Sequence, residues 1–228
     1  MIDYVLIAII GAIVSMDTTV FGQFMIAQPL VSSALAGIVL GEPQSVLFIG
    51  AIMQLMWLKL IPAGGAIYLN GNLGTLTAVA LYELIRPQFL FSEEALLFIV
   101  ILSGIAASYI FGYITVCHRR INEFFIKLAY KALKEKRLFL FQTVHILGVF
   151  TAGIGGPVCL LALVILGKQF LLVIPTVYYL KIEAFSRYGL YSLLGVGLGT
   201  VFSMVWIRKG WYYPLVGLFA GALALFIL

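Results

Sequence analysis

Apolar residues fall in blocks along this chain, at about 4–16, 24–41, 44–61, 73–85, 95–117, 139–166, 169–180, 188–207 and 211–227. The runs at 95–117 and 188–207 hold no charged residue and do not alternate polar with apolar positions. That pattern predicts α-helices in lipid and argues against a membrane β-barrel, whose strands alternate. Several blocks are shorter than the ~20 residues a helix needs to cross a bilayer, so half-helices or re-entrant pieces are expected among them. The block at 139–166 is longer than one crossing and contains Gly153-Ile154-Gly155-Gly156-Pro157, where a break or kink is expected. The reading is an all-α, polytopic integral membrane protein of roughly seven to nine hydrophobic helical segments, forming one membrane-embedded domain over 1–228.

Composition strengthens this reading. Of 228 residues, 63% are hydrophobic and 10% charged, with a mean hydropathy of +1.14. A soluble fold would expose too much apolar surface at that composition. The start, Met1-Ile2-Asp3, lacks a basic leader, so the first apolar segment is expected to be retained. Cys117 and Cys159 have no partner at metal-ligand spacing and read as small buried hydrophobes. No metal or cofactor is expected.

The net charge of +5 has a local source. Arg119, Arg120, Lys127, Lys131, Lys134, Lys136 and Arg137 are seven of the fourteen basic residues, against only Glu123 and Glu135 in the same stretch. By the positive-inside rule, about 118–138 is a cytoplasmic loop. Its Ile121, Phe124, Phe125, Leu128 and Ala132 recur at helical spacing, so the stretch is either a topology determinant or an amphipathic helix on the inner surface. Nothing else in the chain supports nucleic-acid binding. Segment 95–117 then starts on the outer side, beside Ser92-Glu93-Glu94, and 169–180 is expected as an outer re-entrant element.

Polar residues inside a membrane are costly and mark candidate sites. Here they concentrate in the first third, at about 15–85. Asp17, between two apolar segments, is either a ligand-binding carboxylate or a helix N-cap. Gln23 and Gln28 lie near the break, and Pro29 suits a first helical turn. Ser33, Gly37 and Gly41 recur every fourth residue, a helix-packing face. Gln54 and Trp57 share a helix face. They form either a sugar-binding pair, amide to hydroxyl and indole to C–H face, or an interhelical glutamine and an interfacial tryptophan. The stretch 61–75, with Pro62, Gly64, Gly65, Asn70, Gly71, Asn72 and Gly74, cannot form one continuous helix. Irregular backbone at membrane depth is tolerated where it is buried or lines a cavity, and broken helices build transporter sites. Asn72 is a suitable cap for the short helix that follows. Metalloprotease, hydrolase and nucleotide-loop motifs are absent, so no catalytic residue is expected in this chain.

The residues Asp17, Gln23 through Val31, Gly37-Ile38-Val39-Leu40-Gly41-Glu42-Pro43, and Gly50, Gln54, Trp57, Pro62-Ala63-Gly64-Gly65-Ala66 together resemble the IIC component of the mannose/fructose/sorbose class of the phosphotransferase system. The resemblance is most specific over 11–80. It implies a sugar-translocating permease subunit in the bacterial inner membrane that takes up a hexose or amino sugar. Its implied partners are a IID membrane subunit, in an oligomer, and soluble IIA and IIB phosphocarriers; the phosphohistidine belongs to IIB. An elevator-like movement is the implied mechanism. The resemblance singles out Asp17, Gln23, Gln28, Gln54 and the 64–72 hairpin, and with Trp57 from the shared helix face the candidate substrate-binding residues are Asp17, Gln23, Gln28, Gln54, Trp57, Asn70 and Asn72. Members of the class usually carry Pro-Pro followed by an acidic residue or asparagine just after the hairpin's Gly-Ala, where this chain has Ile67-Tyr68-Leu69-Asn70-Gly71-Asn72. Two other readings follow from the residues: a membrane sensor or scaffold that keeps the fold, and an ion-coupled transporter using Asp17.

Overall fold

The computed structural model describes residues 2–41, 43–59, 69–205, 212 and 216. Among the described residues there are seven α-helices and no strand: α1 (Ile2–Thr19), α2 (Pro29–Leu40), α3 (Pro43–Trp57), α4 (Gly71–Ile85), α5 (Glu93–Lys134), α6 (Leu138–Val173) and α7 (Thr176–Val205), with a 3-10 turn at Arg86–Gln88. Helices α5 and α6 are long and apolar enough to cross a membrane. Helices α2, α3 and α4 have 12, 15 and 15 residues. At 1.5 Å per residue they extend only about 18–23 Å, the half-helices expected from the short apolar blocks. The segment at 211–227 lies almost entirely outside the described residues.

Helix α4 is the centre of the bundle, packed on by α1, α2, α3, α5 and α6. Gly71, Leu73 through Tyr82, and Ile85 are all buried. Its hydroxyls are satisfied locally, with Thr75 donating to the Gly71 carbonyl at 2.6 Å and Thr77 to that of Leu73 at 2.8 Å. The outer helices show the opposite character. On α1, Ile7, Ile10 and Val14 face the core while Ile2, Val5, Ile9 and Ile13 are exposed, a split at helical period. Exposed Ile146, Phe150, Ile154, Val158 and Phe170 line α6. Such a rim suits lipid as solvent.

Close backbone approach fixes the helix pairs. A Cβ on Gly104 of α5 would stand 2.8 Å from the Ala78 Cβ and 2.9 Å from the Gly74 carbonyl oxygen of α4. On α2, Ser33 and Gly37 pack against α3 as their spacing predicts: a Cβ on Gly37 would meet the Pro43 Cα at 2.9 Å. Gly41 instead ends α2, with φ +99°. Of Gly195, Gly197 and Gly199 on α7, only Gly197 makes such a contact: a Cβ there would stand 2.8 Å from the Leu55 Cβ.

Three expectations are corrected here. The stretch 118–138 is not a loop: α5 runs through it to Lys134 and turns into α6 at 135–137. No glycine or proline interrupts 113–147, and Glu123 pairs with Lys127 one turn on at 2.7 Å, so the helix propagates. It ends in a Schellman-type turn, with Lys136 at φ +56° and the Arg137 N–H donating to the Ala132 carbonyl at 2.8 Å. At 42 residues α5 is about 63 Å long, twice the ~30 Å hydrocarbon thickness. The glycine-proline run does not break the chain either, since α6 continues through Pro157. Its small residues seat α1: Ser15 Oγ donates to the Ala152 carbonyl at 2.9 Å, and a Cβ on Gly156 would meet the Ser15 Cβ at 2.6 Å. Finally, 169–180 is no re-entrant element but the end of α6, a turn at Ile174-Pro175, and the start of α7.

One end of the bundle is tied by acidic and aromatic side chains. Glu93 accepts from Ser45 Oγ at 2.5 Å and Tyr82 OH at 2.8 Å, Glu183 accepts from the Ser92 N–H at 3.1 Å, and Tyr179 stacks on Phe91 at 5.2 Å. The start of α5 and the α6–α7 turn therefore share that end, opposite the basic α5–α6 turn. Filling the α4–α5 seam tests this packing. Gly104→Val is expected to lower stability by about 1–3 kcal/mol through overpacking, read as a lower midpoint in thermal unfolding in detergent. An unchanged midpoint would show that the two helices do not meet at these glycines.

Candidate functional site

The chain breaks twice between short helices, after α1 and after α3, and both breaks open onto one cavity of about 430 Å³. That volume lies within the ~300–1,000 Å³ range of small-molecule sites. Its wall combines the C-terminal ends of α1 and α3 with the N-terminal ends of α2 and α4. Six of the seven candidate residues line it: Asp17, Gln23, Gln28, Trp57, Asn70 and Asn72. The seventh, Gln54, stands one hydrogen bond behind, donating from Nε2 to Gln28 Oε1 at 3.0 Å. Residues 60–68 of the expected hairpin lie outside the described residues.

Asp17 is buried, and each of its carboxylate oxygens takes a backbone donor: the Phe24 N–H at 2.7 Å on Oδ1 and the Ala27 N–H at 2.9 Å on Oδ2. It thus sits in the last turn of α1 and organises the loop before α2. That loop contains Gly22, Gln23 and Met25 at positive φ, +79°, +50° and +65°. Glutamine and methionine in this region cost strain, which the Asp17 bonds offset. Gln28 is the N-cap of α2 but its side chain makes no capping bond. The Leu30 N–H is taken instead by Gln54 Oε1 from α3, at 3.3 Å.

The cap of α4 is Asn70, two residues before the expected Asn72, with Oδ1 accepting from the Leu73 N–H at 3.2 Å. Helix α5 holds it there: the Asn70 N–H donates to the Ser108 carbonyl at 3.0 Å, and its side-chain nitrogen donates to Thr115 Oγ1 at 3.4 Å. Asn72 then falls in the first turn of α4, on the cavity wall. Trp57 packs against Gly71, where an added Cβ would come 2.6 Å from the indole Cγ. The buried indole Nε1 has no hydrogen-bond partner among the described residues. The other lining residues are Thr18, Met25, Ala27, Pro29, Leu69 and Gly71. None was a candidate ligand in the sequence, although all but Thr18 fall within the motifs that carry the family resemblance or the irregular stretch beside them.

A second, larger and mainly apolar chamber of about 860 Å³ lies between α1, α4, α5 and α6 and shares Thr18 and Asn70 with the first. Cys117, Cys159 and His118 line it, with His118 Nε2 3.3 Å from Thr151 Oγ1.

The loop geometry makes Asp17 testable apart from any ligand. Asp17→Ala leaves two backbone N–H groups without acceptors, each worth ~1.5–3 kcal/mol to a charged partner. It is expected to destabilise the protein more than Asp17→Asn, which keeps one acceptor. Equal melting points for the two variants would show that the carboxylate does not hold the loop.

Comparison with known proteins places this geometry. The family model described as "PTS system sorbose-specific iic component" matches residues 1–227. No curated protein matches the chain. A solved structure described only as "Structure of membrane protein" superposes with a TM-score of 0.67 at 21% identity, covering 97% of this chain and 86% of that one. A second, of the mannose transporter ManYZ in complex with microcin E492, superposes with a TM-score of 0.63 at 19% identity, with the same coverage of 97% and 86%. At these identities the two structures speak for the helical membrane fold alone. The family match spans essentially the whole chain, and the chain belongs to the sorbose-type IIC family of phosphotransferase-system sugar-transport components.

Proposed function

We propose that this chain is the sugar-translocating IIC subunit of a phosphotransferase-system permease in a bacterial cell membrane. The observation that carries this reading is the single cavity where Asp17, Gln23, Gln28, Trp57, Asn70 and Asn72 converge at four helix ends. Amides supply hydrogen bonds for hydroxyls, and the Trp57 ring supplies an apolar face. The substrate is a hexose or amino sugar. The chain works beside a IID membrane subunit, and a soluble IIB, charged by IIA, phosphorylates the sugar from the basic end of the bundle, the cytoplasmic side by the positive-inside rule. Asp17 favours this over ion coupling, because both of its oxygens are already engaged by backbone donors.

Calorimetric binding of mannose, fructose, sorbose, glucosamine, N-acetylgalactosamine and galactosamine to the full chain co-purified with IID tests the proposal. At least one sugar is expected to bind, and Asn72→Ala and Trp57→Ala are each expected to weaken it roughly tenfold, the first through lost hydrogen bonds and the second through the lost ring face. A folded complex that binds none of the six would overturn the permease reading in favour of a sensor or scaffold.

A further inference from the structure

Two glutamines at the cavity have orientations that their neighbours dictate. A side-chain amide has one accepting end and one donating end. The Leu30 N–H can only donate, so the Gln54 end that meets it at 3.3 Å must be the oxygen. The Gln54 nitrogen therefore faces Gln28, and the Gln28 end that receives it at 3.0 Å must again be an oxygen. Gln28 lines the cavity and is exposed there. The group it has left to offer is its N–H₂. The polarity of a backbone amide at the start of α2 is relayed through two side chains into the site.

We propose that Gln54 is a positioning residue that sets the hydrogen-bonding polarity of the sugar cavity, so that Gln28 meets the sugar as a donor. Gln54 acts through Gln28 and does not itself touch the sugar. The neighbouring carboxylate points the same way. The acceptor oxygens of Asp17 are occupied by the Phe24 and Ala27 amides, so they do not compete for that role. The class of ligand group this wall takes is an acceptor: a hydroxyl serving through its oxygen, or an acetamido carbonyl. The inference rests on the permease reading and adds the direction of the bond at one ring position.

Fluorine separates the two directions, since C–F accepts weakly and cannot donate, while C–H does neither. The probes are the monodeoxy and monodeoxyfluoro series of the tightest-binding sugar of the panel, measured on the complex of the full chain with IID. At one ring position the wild type is expected to bind the fluoro sugar severalfold better than the deoxy sugar. Gln54→Glu keeps the acceptor for Leu30 but has no N–H to give, so Gln28 must turn its N–H₂ toward residue 54 and its carbonyl into the cavity. The fluoro advantage at that position is then expected to vanish or reverse, with other positions unchanged. Gln28→Glu, which puts carboxylate oxygen in the same place without altering Gln54, is expected to do the same. A purely structural role would weaken all probes together. Parent-sugar binding with the same fluoro-to-deoxy ratios in wild type and both variants would overturn the proposal while leaving the permease reading intact. No binding of any sugar by the wild type would overturn both.

Discussion

Backbone N–H groups that end inside the bundle must find acceptors there, and this requirement organises the protein. Lipid offers no hydrogen bonds, and an unmet buried donor costs on the order of 1–3 kcal/mol. Two breaks between short helices create such donors. Three side chains accept them: Asp17 takes the Phe24 and Ala27 amides, Gln54 takes that of Leu30, and Asn70 takes that of Leu73. Two of these acceptors reach from another segment to the break before α2, while Asn70 caps α4 locally and is itself held by α5. The short helices, in turn, can stop at mid-bundle only because those acceptors are present.

This division of labour explains what the cavity presents. Polar atoms spent on backbone donors are no longer free for a ligand, and those left over include the N–H₂ of Gln28 and the side chains of Gln23 and Asn72. Helix α4 ties the arrangement to the core. Its residues are buried almost without exception, and Asn70 joins its first turn to α5 through Ser108 and Thr115. Apolar packing thereby fixes one wall of the site, while the bonds of Asp17 and Gln54 hold the 21–28 loop and the start of α2 on the other.

Much of this was legible in the sequence, for a physical reason: lipid-facing helices need only be apolar, so block composition suffices to find them. The polar positions of the first third were legible too, because each polar group at membrane depth needs a cause. Conformation within polar stretches was less so. The basic residues at 119–137 report which side of a membrane they prefer, not whether they lie in a loop, and the lack of helix breakers decided for helix. The glycines before Pro157 signalled a break, yet they admit the backbone of α1, a tertiary use that local sequence does not show. Asn70 and Asn72 are equal candidates for a cap by residue type, and Ser108 and Thr115, 38 and 45 residues beyond Asn70, choose between them. Asp17 was readable as important, but its two loop amides lie seven and ten residues on, beyond the reach of a capping pattern.

The unmet donors carry the last step. Among the described residues, Ser33 Oγ and Trp57 Nε1 are both buried without a hydrogen-bond partner, and their settings differ. Ser33 lies in the α2–α3 seam, where a Cβ on Gly50 would stand 2.6 Å from its oxygen. Close packing leaves no room for a partner there, and the cost is repaid by the approach of two helices. Trp57 lies on the wall of a 430 Å³ cavity, over a glycine. Its half-buried ring packs against the core, so phenylalanine would keep that apolar contact and remove an orphan donor worth ~1–3 kcal/mol. The indole nitrogen therefore has no structural return among the described residues. The nitrogen is closed off from the cavity, so a ligand meets Trp57 through its ring, and only a turn of that ring would bring the N–H to a ligand oxygen.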